Sequence, residues 1–443
     1  MSRVSLITSK PVFSRDGAIN NNGYMAWEIA RALKRKGHDV RMLESEHGKD
    51  IVREGISVLG CDWGNVRKSV EGSQVVILPL TMMREKYFRE VRDIPTVVDL
   101  VDPVLIESIF ALEPDGEGMR EFAAATQRVM NYIQNGDFFY CAGMRAYAYY
   151  VGMLSLAGRI SPLTRESKLI ASIPVAASQE APKKPKQPFF AGKVPECKRL
   201  ILWPGRIYEW YDAEVAIKAM VEVARAEPDA ALVFAGAGDP CNDYSRKALV
   251  KSRELAKKLG LLDKSVFFTG WPPHSERAAV YAEPEFAVIT FPESLMTLLA
   301  FRLRAVDCLW GGLPVISTEG DEVGDLLNAH NAGGTVKAGD AGELAAKMLE
   351  WLQSPEKVAE MRKNAGKLVS RELNWDYAIE PLDEFCRNPK IAVDKASGVA
   401  KSTVRSAFRA SRLLKYKYYA HRAMALYRKG GAGRLFGKVR DVV

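Results

Sequence analysis

The sequence predicts a protein of the α/β class, with two doubly wound domains that face each other across a cleft and a basic helical tail. Strands and helices alternate along almost the whole chain, which is typical of parallel sheets covered by helices. A stretch rich in proline and lysine, without helix or strand periodicity, divides the chain near its middle. We therefore predict a first domain over residues 1–180, a linker over 181–198, a second domain over 199–389 and the tail over 390–443.

The composition is that of an ordinary soluble globular protein. Of the 443 residues, 47% are hydrophobic and 26% are charged, which excludes disordered, collagen-like and coiled-coil chains. No run of ~18 apolar residues could span a membrane, and the first apolar stretch, VSLI, is too short for a secretion signal. The six cysteines are scattered without metal-ligand spacing, so we predict a cytoplasmic, reduced protein without structural zinc.

The first domain is predicted to begin with a buried strand over residues 3–8, followed by a polar loop and a helix over 24–36. In that helix Met25, Ile29 and Leu33 recur at helical spacing, so they form one apolar face. The later strands of this domain are predicted over 38–43, 75–80, 96–101 and 136–143.

The second domain repeats the alternation. Its predicted strands cover 200–205, 231–236, 265–270, 285–290 and 313–317, and its predicted helices cover 212–226, 243–259, 297–310, 321–328 and 340–353, with a further helical segment up to Cys386. Ligands of doubly wound sheets bind beyond the carboxyl ends of the strands, so the loops that follow the strands are the candidates for a site.

Three loops of the second domain carry residues suited to binding an anion. Gly205 and Arg206 follow the first strand, where the glycine lets a ligand approach and the guanidinium can pair with phosphate; a turn with a solvated arginine is the alternative. Arg304 and Asp307 lie on one face of a helix, where a surface ion pair is the alternative. The turn 317–321 leads into a helix and could hold an anion on its backbone N–H groups, unless its aspartate only caps the helix.

Residues from about 200 to 386 resemble the donor-binding domain of GT-B glycosyltransferases of the retaining family 4 type. The resemblance rests on WPGR after the first strand, LVFAGAG after the second, VFFTGW after the third, and DCLWGGLPVIST followed by an acidic turn. The first half resembles these enzymes more loosely, through RVSLIT and ALKRKGHDV. Stretches such as VVDLVDPVLIE are similar to a subgroup found in surface-polysaccharide clusters.

The resemblance implies two Rossmann-like domains, of which the first binds an acceptor and the second binds a sugar nucleotide. It also implies transfer with retention of the anomeric configuration, without a protein nucleophile, a metal or any other cofactor. No two aspartates of the chain stand two residues apart, so the Asp-x-Asp metal site of the other main transferase fold is absent from the sequence.

Carried over by position, the resemblance implies that Arg206 contacts phosphate, that Asp307 binds the ribose and that Trp271 lies at the nucleotide base. The donor-binding residues that it implies are Gly205, Trp271, Asp307, Thr318, Glu319, Gly320 and Asp321.

Two positions depart from the family pattern. Tyr211 stands where the family has a phosphate-binding lysine, and Leu299 stands where it has a glutamate. Glu293 could replace that glutamate if its loop folds back, and Arg302 or Arg304 could supply the missing positive charge. The predicted catalytic residues are therefore Arg206, Glu293, Arg302 and Arg304.

Polar residues at the ends of first-domain strands are candidates for acceptor binding. Asp99 and Asp102 end a strand that faces the cleft, although Asp102 could instead cap the following helix. Asn20 and Asn22 are acceptor contacts or turn formers. We interpret His38 as a packing residue at the start of a strand.

The tail is strongly basic. Residues 390–443 hold 14 Lys and Arg against two Asp, a net charge of +12, so the first 389 residues carry −3 of the total of +9. From Lys401 onward, basic and apolar residues fall on different faces of a helix, which favours an anionic membrane surface as partner of 401–443. A helix packed on the acidic body or a solvated tail is the alternative, and no motif points to nucleic acid.

The sequence thus predicts a metal-independent, retaining glycosyltransferase that moves a sugar from a nucleotide diphosphate to a glycan acceptor. We expect this acceptor to be a lipid-linked precursor of a polysaccharide. We expect it in the cytoplasm, at the inner face of the plasma membrane. A degenerate homologue that acts as a binding or scaffolding subunit is the main alternative. An epimerase or a phosphorylase on the same fold is less favoured, because the second domain supplies only His274 and His330 and no signal for pyridoxal phosphate.

Overall fold

Two parallel sheets form the framework of the protein, as the sequence predicts. The structure is a computed structural model, and it describes residues 1–9, 11–13, 21–46, 49–82, 87–183, 187–196, 198–208, 210–237, 243–273 and 276–396, with only the backbone of 21–22 and 243–245. Both sheets are covered by helices on their two faces, which confirms the predicted pair of doubly wound domains.

The first sheet has eight strands within the described residues, in the order β3-β4-β2-β1-β5-β6-β7-β8. All neighbours are parallel except β3 and β4. The strands are β1 (Arg3–Thr8), β2 (Asp39–Glu44), β3 (Ile51–Arg53), β4 (Ile56–Gly60), β5 (Val75–Pro79), β6 (Thr96–Asp99), β7 (Phe138–Cys141) and β8 (Ile170–Ser172).

Helices of the first domain bury apolar faces against this sheet. Met25, Ile29 and Leu33 of the first helix lie in its core, as their spacing predicts. The helices are α1 (Asn21–Arg35), α2 (Val66–Ser69), α3 (Tyr87–Glu90), α4 (Val104–Ala111), α5 (Gly116–Asn135) and α6 (Met144–Leu156).

The second sheet has six strands in the described part of the chain, all parallel, in the order β11-β10-β9-β12-β13-β14. They are β9 (Arg199–Pro204), β10 (Ala230–Ala235), β11 (Val266–Thr269), β12 (Phe286–Ile289), β13 (Val315–Thr318) and β14 (Gly333–Val336). The covering helices are α7 (Ala213–Ala226), α8 (Asp243–Lys258), α9 (Arg277–Ala282), α10 (Leu295–Leu299), α11 (Leu303–Trp310), α12 (Glu322–Ala329), α13 (Ala341–Gln353) and α14 (Pro355–Arg371).

The helix predicted over 297–310 is interrupted in the structure. Ala300 has extended backbone angles and ends α10, and α11 begins only at Leu303. The interruption leaves Arg302 at the start of α11, where its side chain turns to Asp321 instead of continuing the helix face. No local pattern predicts this break, because neither glycine nor proline occurs at it.

The chain returns to the first domain after residue 374. Three helices, α15 (Trp375–Ala378), α16 (Glu380–Arg387) and α17 (Val393–Ala396), follow, and Trp375, Leu382 and Cys386 lie in the core beside α1 and β1. Buried Arg159 pairs with Asp394. The sequence prediction ended the second domain at residue 389, whereas this packing assigns 375–396 to the first domain.

A cluster of hydrogen bonds joins the two domains beside the cleft. The Glu322 carboxylate accepts from the backbone N–H of Met144 at 2.7 Å and of Arg145 at 3.3 Å. The Arg145 guanidinium donates to Asp325 at 2.6 Å and to the carbonyl of Gly320. These contacts connect the amino end of α6 to the amino end of α12, so they join the two domains on this side of the cleft.

Candidate active site

A cavity of about 140 Å³ lies beyond the carboxyl ends of β9, β10 and β11. The loops that follow these strands form one wall, and α9 and α11 form the other. Its principal lining residues are Gly205, Arg206, Tyr208, Gly236, Trp271, Arg277, Tyr281, Arg304 and Asp307. Five of the residues predicted for donor binding or catalysis, which are far apart in sequence, therefore converge here: Gly205, Arg206, Trp271, Arg304 and Asp307.

Two glycines keep this cavity open. Gly205 has φ +78° and Gly236 has φ +80°, values that disfavour any residue with a side chain. A Cβ atom at Gly236 would lie 3.1 Å from the Trp271 ring. The glycines thus let the loops after β9 and β10 turn sharply and leave space in front of Trp271.

Arg206 lies at the entrance of the cavity. Its guanidinium carbon is 4.8 Å from the centroid of the Trp271 ring, and its Nη1 donates to Tyr208 Oη at 3.0 Å. The charged group is therefore held over an aromatic ring, which limits its rotamers before a ligand binds. Guanidinium groups in this setting are suited to bidentate binding of phosphate oxygens.

Arg304 provides the second cation, and Tyr211 positions it. The Arg304 guanidinium lies 4.2 Å from the Tyr211 ring centroid and donates through Nη2 to Tyr211 Oη at 2.9 Å. Its Nη1 donates to the carbonyl of Arg206 at 3.0 Å. The tyrosine at the lysine position of the family thus holds an arginine from α11 beside Arg206.

Asp307 lies one turn of α11 beyond Arg304, at the inner end of the cavity. Its buried Oδ1 has no hydrogen-bond partner among the described residues. Burial raises the pKa of this carboxyl to about 7, with the charge of Arg277 lowering it and the charge of Glu28 adding to the rise. A buried carboxylate oxygen that lacks a donor is suited to accept hydrogen bonds from ligand hydroxyls.

Arg277 also contributes to this cavity, and the sequence analysis did not identify it. Its guanidinium donates to Ser178 Oγ at 2.8 Å and lies 4.5 Å from the Trp310 ring centroid and 5.4 Å from that of Tyr24. Arg277 therefore connects the second domain to α1 of the first. The available signal was its position six residues after Trp271, at the start of the helix that follows the predicted base loop.

Arg302 and Asp321 are used differently from Arg206 and Arg304. They form an ion pair of 2.7 Å between side chains that are 8% and 0% exposed. Asp321 also accepts from Gly324 N at 2.6 Å, so it caps α12, and Arg302 lies 3.2 Å from the Phe291 ring centroid. The two charges compensate each other, which means that the pair joins α11 to α12 and does not present Asp321 to the donor cavity.

The other predicted residues of this region also lie away from the donor cavity. Thr318 is buried, and its Oγ1 accepts from the Phe291 N–H at 2.9 Å. Glu319 and Gly320 are exposed, and the Gly320 carbonyl accepts from Arg145. Glu293 is exposed and does not belong to the described walls of either cavity.

A second cavity, of about 480 Å³, lies between the two domains. Arg206 and Tyr208 line both cavities, so the two adjoin at these side chains. Its first-domain wall includes Thr8, Ser9, Thr81, Asp99, Asp102, Glu107 and Tyr140, and its second-domain wall includes Trp210, Tyr211, Met296, Phe301 and Arg302.

The first-domain wall of this cavity is acidic. Burial raises the pKa of the Asp99 carboxyl to about 7, although the Val101 N–H donates to it at 2.8 Å. Partial desolvation of its carboxyl, followed by the charge of Asp102, also raises the pKa of Glu107, although the residue as a whole is exposed. The sequence analysis identified the two aspartates but not Glu107, which lies one turn into α4, five residues after Asp102.

The remaining predicted residues lie elsewhere. Asn20 and the tail 401–443 are outside the described residues, and Asn22 is described only as backbone in α1. His38 accepts from the Ser2 N–H at Nδ1 and bonds Asp383 through Nε2 at 2.8 Å, so it is a packing residue. Among the described residues, no three His, Cys, Asp or Glu are grouped to hold a metal ion. None of the described helices combines the length and apolar character needed to cross a bilayer.

The two facing domains and the cavity at the strand ends define a glycosyltransferase of the GT-B fold. Residues 186–368, which span most of the second domain, match the family model described as glycosyl transferases group 1. This match agrees with the glycosyltransferase that the sequence predicts. A search of curated protein sequences found no match.

Solved structures support the same fold. Sucrose-phosphate synthase from Thermosynechococcus elongatus aligns with a TM-score of 0.65 at 15% identity, over 87% of this chain and 98% of that one. WaaG, a glycosyltransferase involved in lipopolysaccharide biosynthesis, aligns with a TM-score of 0.63 at 12% identity, over 87% and 100%. Anabaena HepE in complex with UDP-glucose aligns with a TM-score of 0.62 at 13% identity, over 87% and 100%.

Proposed function

We propose that this enzyme is a metal-independent, retaining glycosyltransferase that binds a nucleoside diphosphate sugar in the second domain and a glycan acceptor between the domains. The observation that supports the donor site most strongly is the convergence of Arg206, Arg304 and Asp307 on one cavity at the carboxyl ends of the strands. Two cations and one hydrogen-bond acceptor are the groups that a diphosphate and a ribose require.

In the proposed reaction, Arg206 and Arg304 stabilise the negative charge that develops on the departing diphosphate. The bond between the anomeric carbon and the diphosphate oxygen breaks, and a bond to the acceptor oxygen forms on the same face of the sugar. The acceptor proton moves to the departing phosphate. This route needs no protein nucleophile, which agrees with the family resemblance of the second domain.

The donor site can be tested by calorimetric titration of UDP, GDP, dTDP and ADP into the full chain. We expect one nucleotide to bind more tightly than the others, and UDP is the first choice because HepE was solved with UDP-glucose. Arg206→Ala should weaken that binding, whereas Arg225→Ala, an exposed arginine of α7, should not. Failure of all four to bind a folded protein would favour the degenerate, non-catalytic alternative, which Tyr211 and Leu299 also favour.

The remaining features of the reaction have separate tests. Undiminished transfer in EDTA would support metal independence, and the anomeric configuration of the product, measured by NMR, decides between retention and inversion.

We further propose that the acceptor is a lipid-linked glycan of a polysaccharide pathway, reached from the cytoplasm at an anionic membrane surface. This proposal rests on the charge of the tail, which carries +12 over residues 390–443. Removal of residues 401–443 should reduce sedimentation with vesicles that contain phosphatidylserine and should leave nucleotide binding intact. Loss of nucleotide binding would show instead that the tail completes the fold.

A further inference from the structure

The cavity between the domains has two chemically different walls. Asp99, Asp102 and Glu107 form an acidic wall in the first domain. Trp210 and Tyr208, from the loop after β9, form an aromatic wall in the second domain, with ring centroids 4.5 Å apart and planes 7° from parallel. The carboxylates and the aromatic pair come from different domains, so the cavity is complete only when the domains face each other.

These walls suit different parts of one molecule. Carboxyl oxygens accept hydrogen bonds, and once the pH exceeds the raised pKa values of Asp99 and Glu107 the wall also carries negative charge. Its ligand must then supply hydroxyl or ammonium donors, and a ligand carboxylate or phosphate beside it would be repelled. An aromatic ring offers an apolar surface, onto which the C–H face of a pyranose can pack. A sugar ring that is neutral or carries an amine satisfies both walls, whereas a ring whose carboxylate or phosphate faces the acidic wall does not.

The position of the aromatic wall agrees with a role in transfer. Tyr208 accepts a hydrogen bond from Arg206 at 3.0 Å and lines both cavities. A sugar held beside Trp210 would therefore lie next to the arginine proposed to bind the diphosphate, which is where the accepting hydroxyl must be for the reaction to occur.

We propose that the accepting sugar is a neutral or amine-bearing pyranose, held between Trp210 and the acidic wall, and that Glu107 selects against anionic sugars. This inference rests on the proposed function, because it takes the cavity between the domains as the acceptor site. Glu107 and Trp210 act here as specificity-determining residues for that site.

Three methyl glycosides that differ in charge test this proposal: methyl glucoside, methyl glucosaminide and methyl glucuronide. Their binding to the full chain can be compared by saturation-transfer NMR at about pH 8, above the raised pKa values of the acidic wall, with and without UDP. We expect the glucoside and the glucosaminide to bind at least about tenfold more tightly than the glucuronide. Glu107→Gln should narrow that difference several-fold, chiefly by weakening the glucosaminide and strengthening the glucuronide, and Trp210→Ala should weaken the glucoside and the glucosaminide together.

Glu121→Gln is the matched control, because Glu121 is an exposed glutamate of α5 away from the cavity, and it should leave the ranking unchanged. Melting temperatures establish that each variant is folded. Equal binding of the three glycosides, an unchanged ranking in Glu107→Gln, or binding of none of them would overturn the inference. Loss of UDP binding alone would contradict the proposed donor site, while the ranking measured without UDP would still decide the acceptor class.

Discussion

The second domain presents arginines to the cleft, whereas the described first-domain wall presents carboxylates. Arg206 and Arg304 meet at the donor cavity, and Asp99, Asp102 and Glu107 line the opposite side of the cavity between the domains. The contrast indicates a division of work: the positive side suits an anionic leaving group, and the negative side suits a ligand rich in hydroxyl groups. Tyr208 lines both the donor cavity and the cavity between the domains.

The largest effect is expected from removing the cation at the meeting point of the cavities. Arg206→Ala should lower kcat/KM by an amount equivalent to about 2–4 kcal/mol of lost transition-state stabilisation. The developing charge on the diphosphate then lacks a preorganised donor. The measurement is the initial rate of sugar transfer from the nucleotide sugar whose nucleotide binds in the titration.

Arg225→Ala again serves as the control for this variant, since it removes an exposed arginine from the same domain. Full activity of Arg206→Ala would break the comparison, because the positive side of the cleft would then not be the side that binds the diphosphate.

The pairing of Tyr211 with Arg304 sharpens the comparison within the second domain. Arg304→Ala should lower kcat/KM by about 1–3 kcal/mol, and Tyr211→Phe by about 0.5–1.5 kcal/mol, because the phenylalanine keeps the ring but loses the hydroxyl that accepts from Arg304. If the tyrosine acts through the arginine, Tyr211→Phe should cost nothing further in the Arg304→Ala background.

Tyr377→Phe removes a hydroxyl from a ring that is 69% exposed, and it should change nothing. Additive losses in the Tyr211 and Arg304 double variant would mean that the two side chains act independently, and that Tyr211 does not position the arginine.

The sheets and most of the donor cavity could be predicted because both depend on short stretches of sequence: a strand and the residues that directly follow it. Strands β1 and β9 lie within a residue of their predicted bounds, and residues next to the carboxyl end of a parallel strand necessarily gather at one edge of the sheet. Gly205 and Arg206 could be predicted from that rule alone, because they directly follow a strand.

Residues whose role depends on a distant partner could not be predicted in the same way. Arg302 has the same charge and nearly the same position as Arg304, yet it pairs with buried Asp321, which is nineteen residues away and belongs to another helix. Periodicity does not report such a pairing. The return of 375–396 to the first domain is similar, since its apolar pattern indicates a helix with a buried face but not which sheet covers it.

The last prediction concerns stability and compares two acids, one on each side of the cleft. Asp307 and Asp99 both have a pKa near 7 instead of 3.8, so the folded state binds an extra proton at each between those pH values. The free energy of unfolding therefore falls as the pH rises through this range. Asp307→Asn and Asp99→Asn should each stabilise the protein more at pH 8 than at pH 5, by about 1–2 kcal/mol, since water in the cavities weakens the full burial penalty.

Nucleotide should separate these two acids. If Asp307 accepts hydrogen bonds from the ribose, saturating UDP should stabilise the wild-type protein more than Asp307→Asn in thermal unfolding at pH 8, and it should stabilise Asp99→Asn as much as the wild type. The same UDP response in all three proteins would remove Asp307 from the ribose site. A response lost only in Asp99→Asn would place the nucleotide on the acidic side and reverse the proposed division of the cleft.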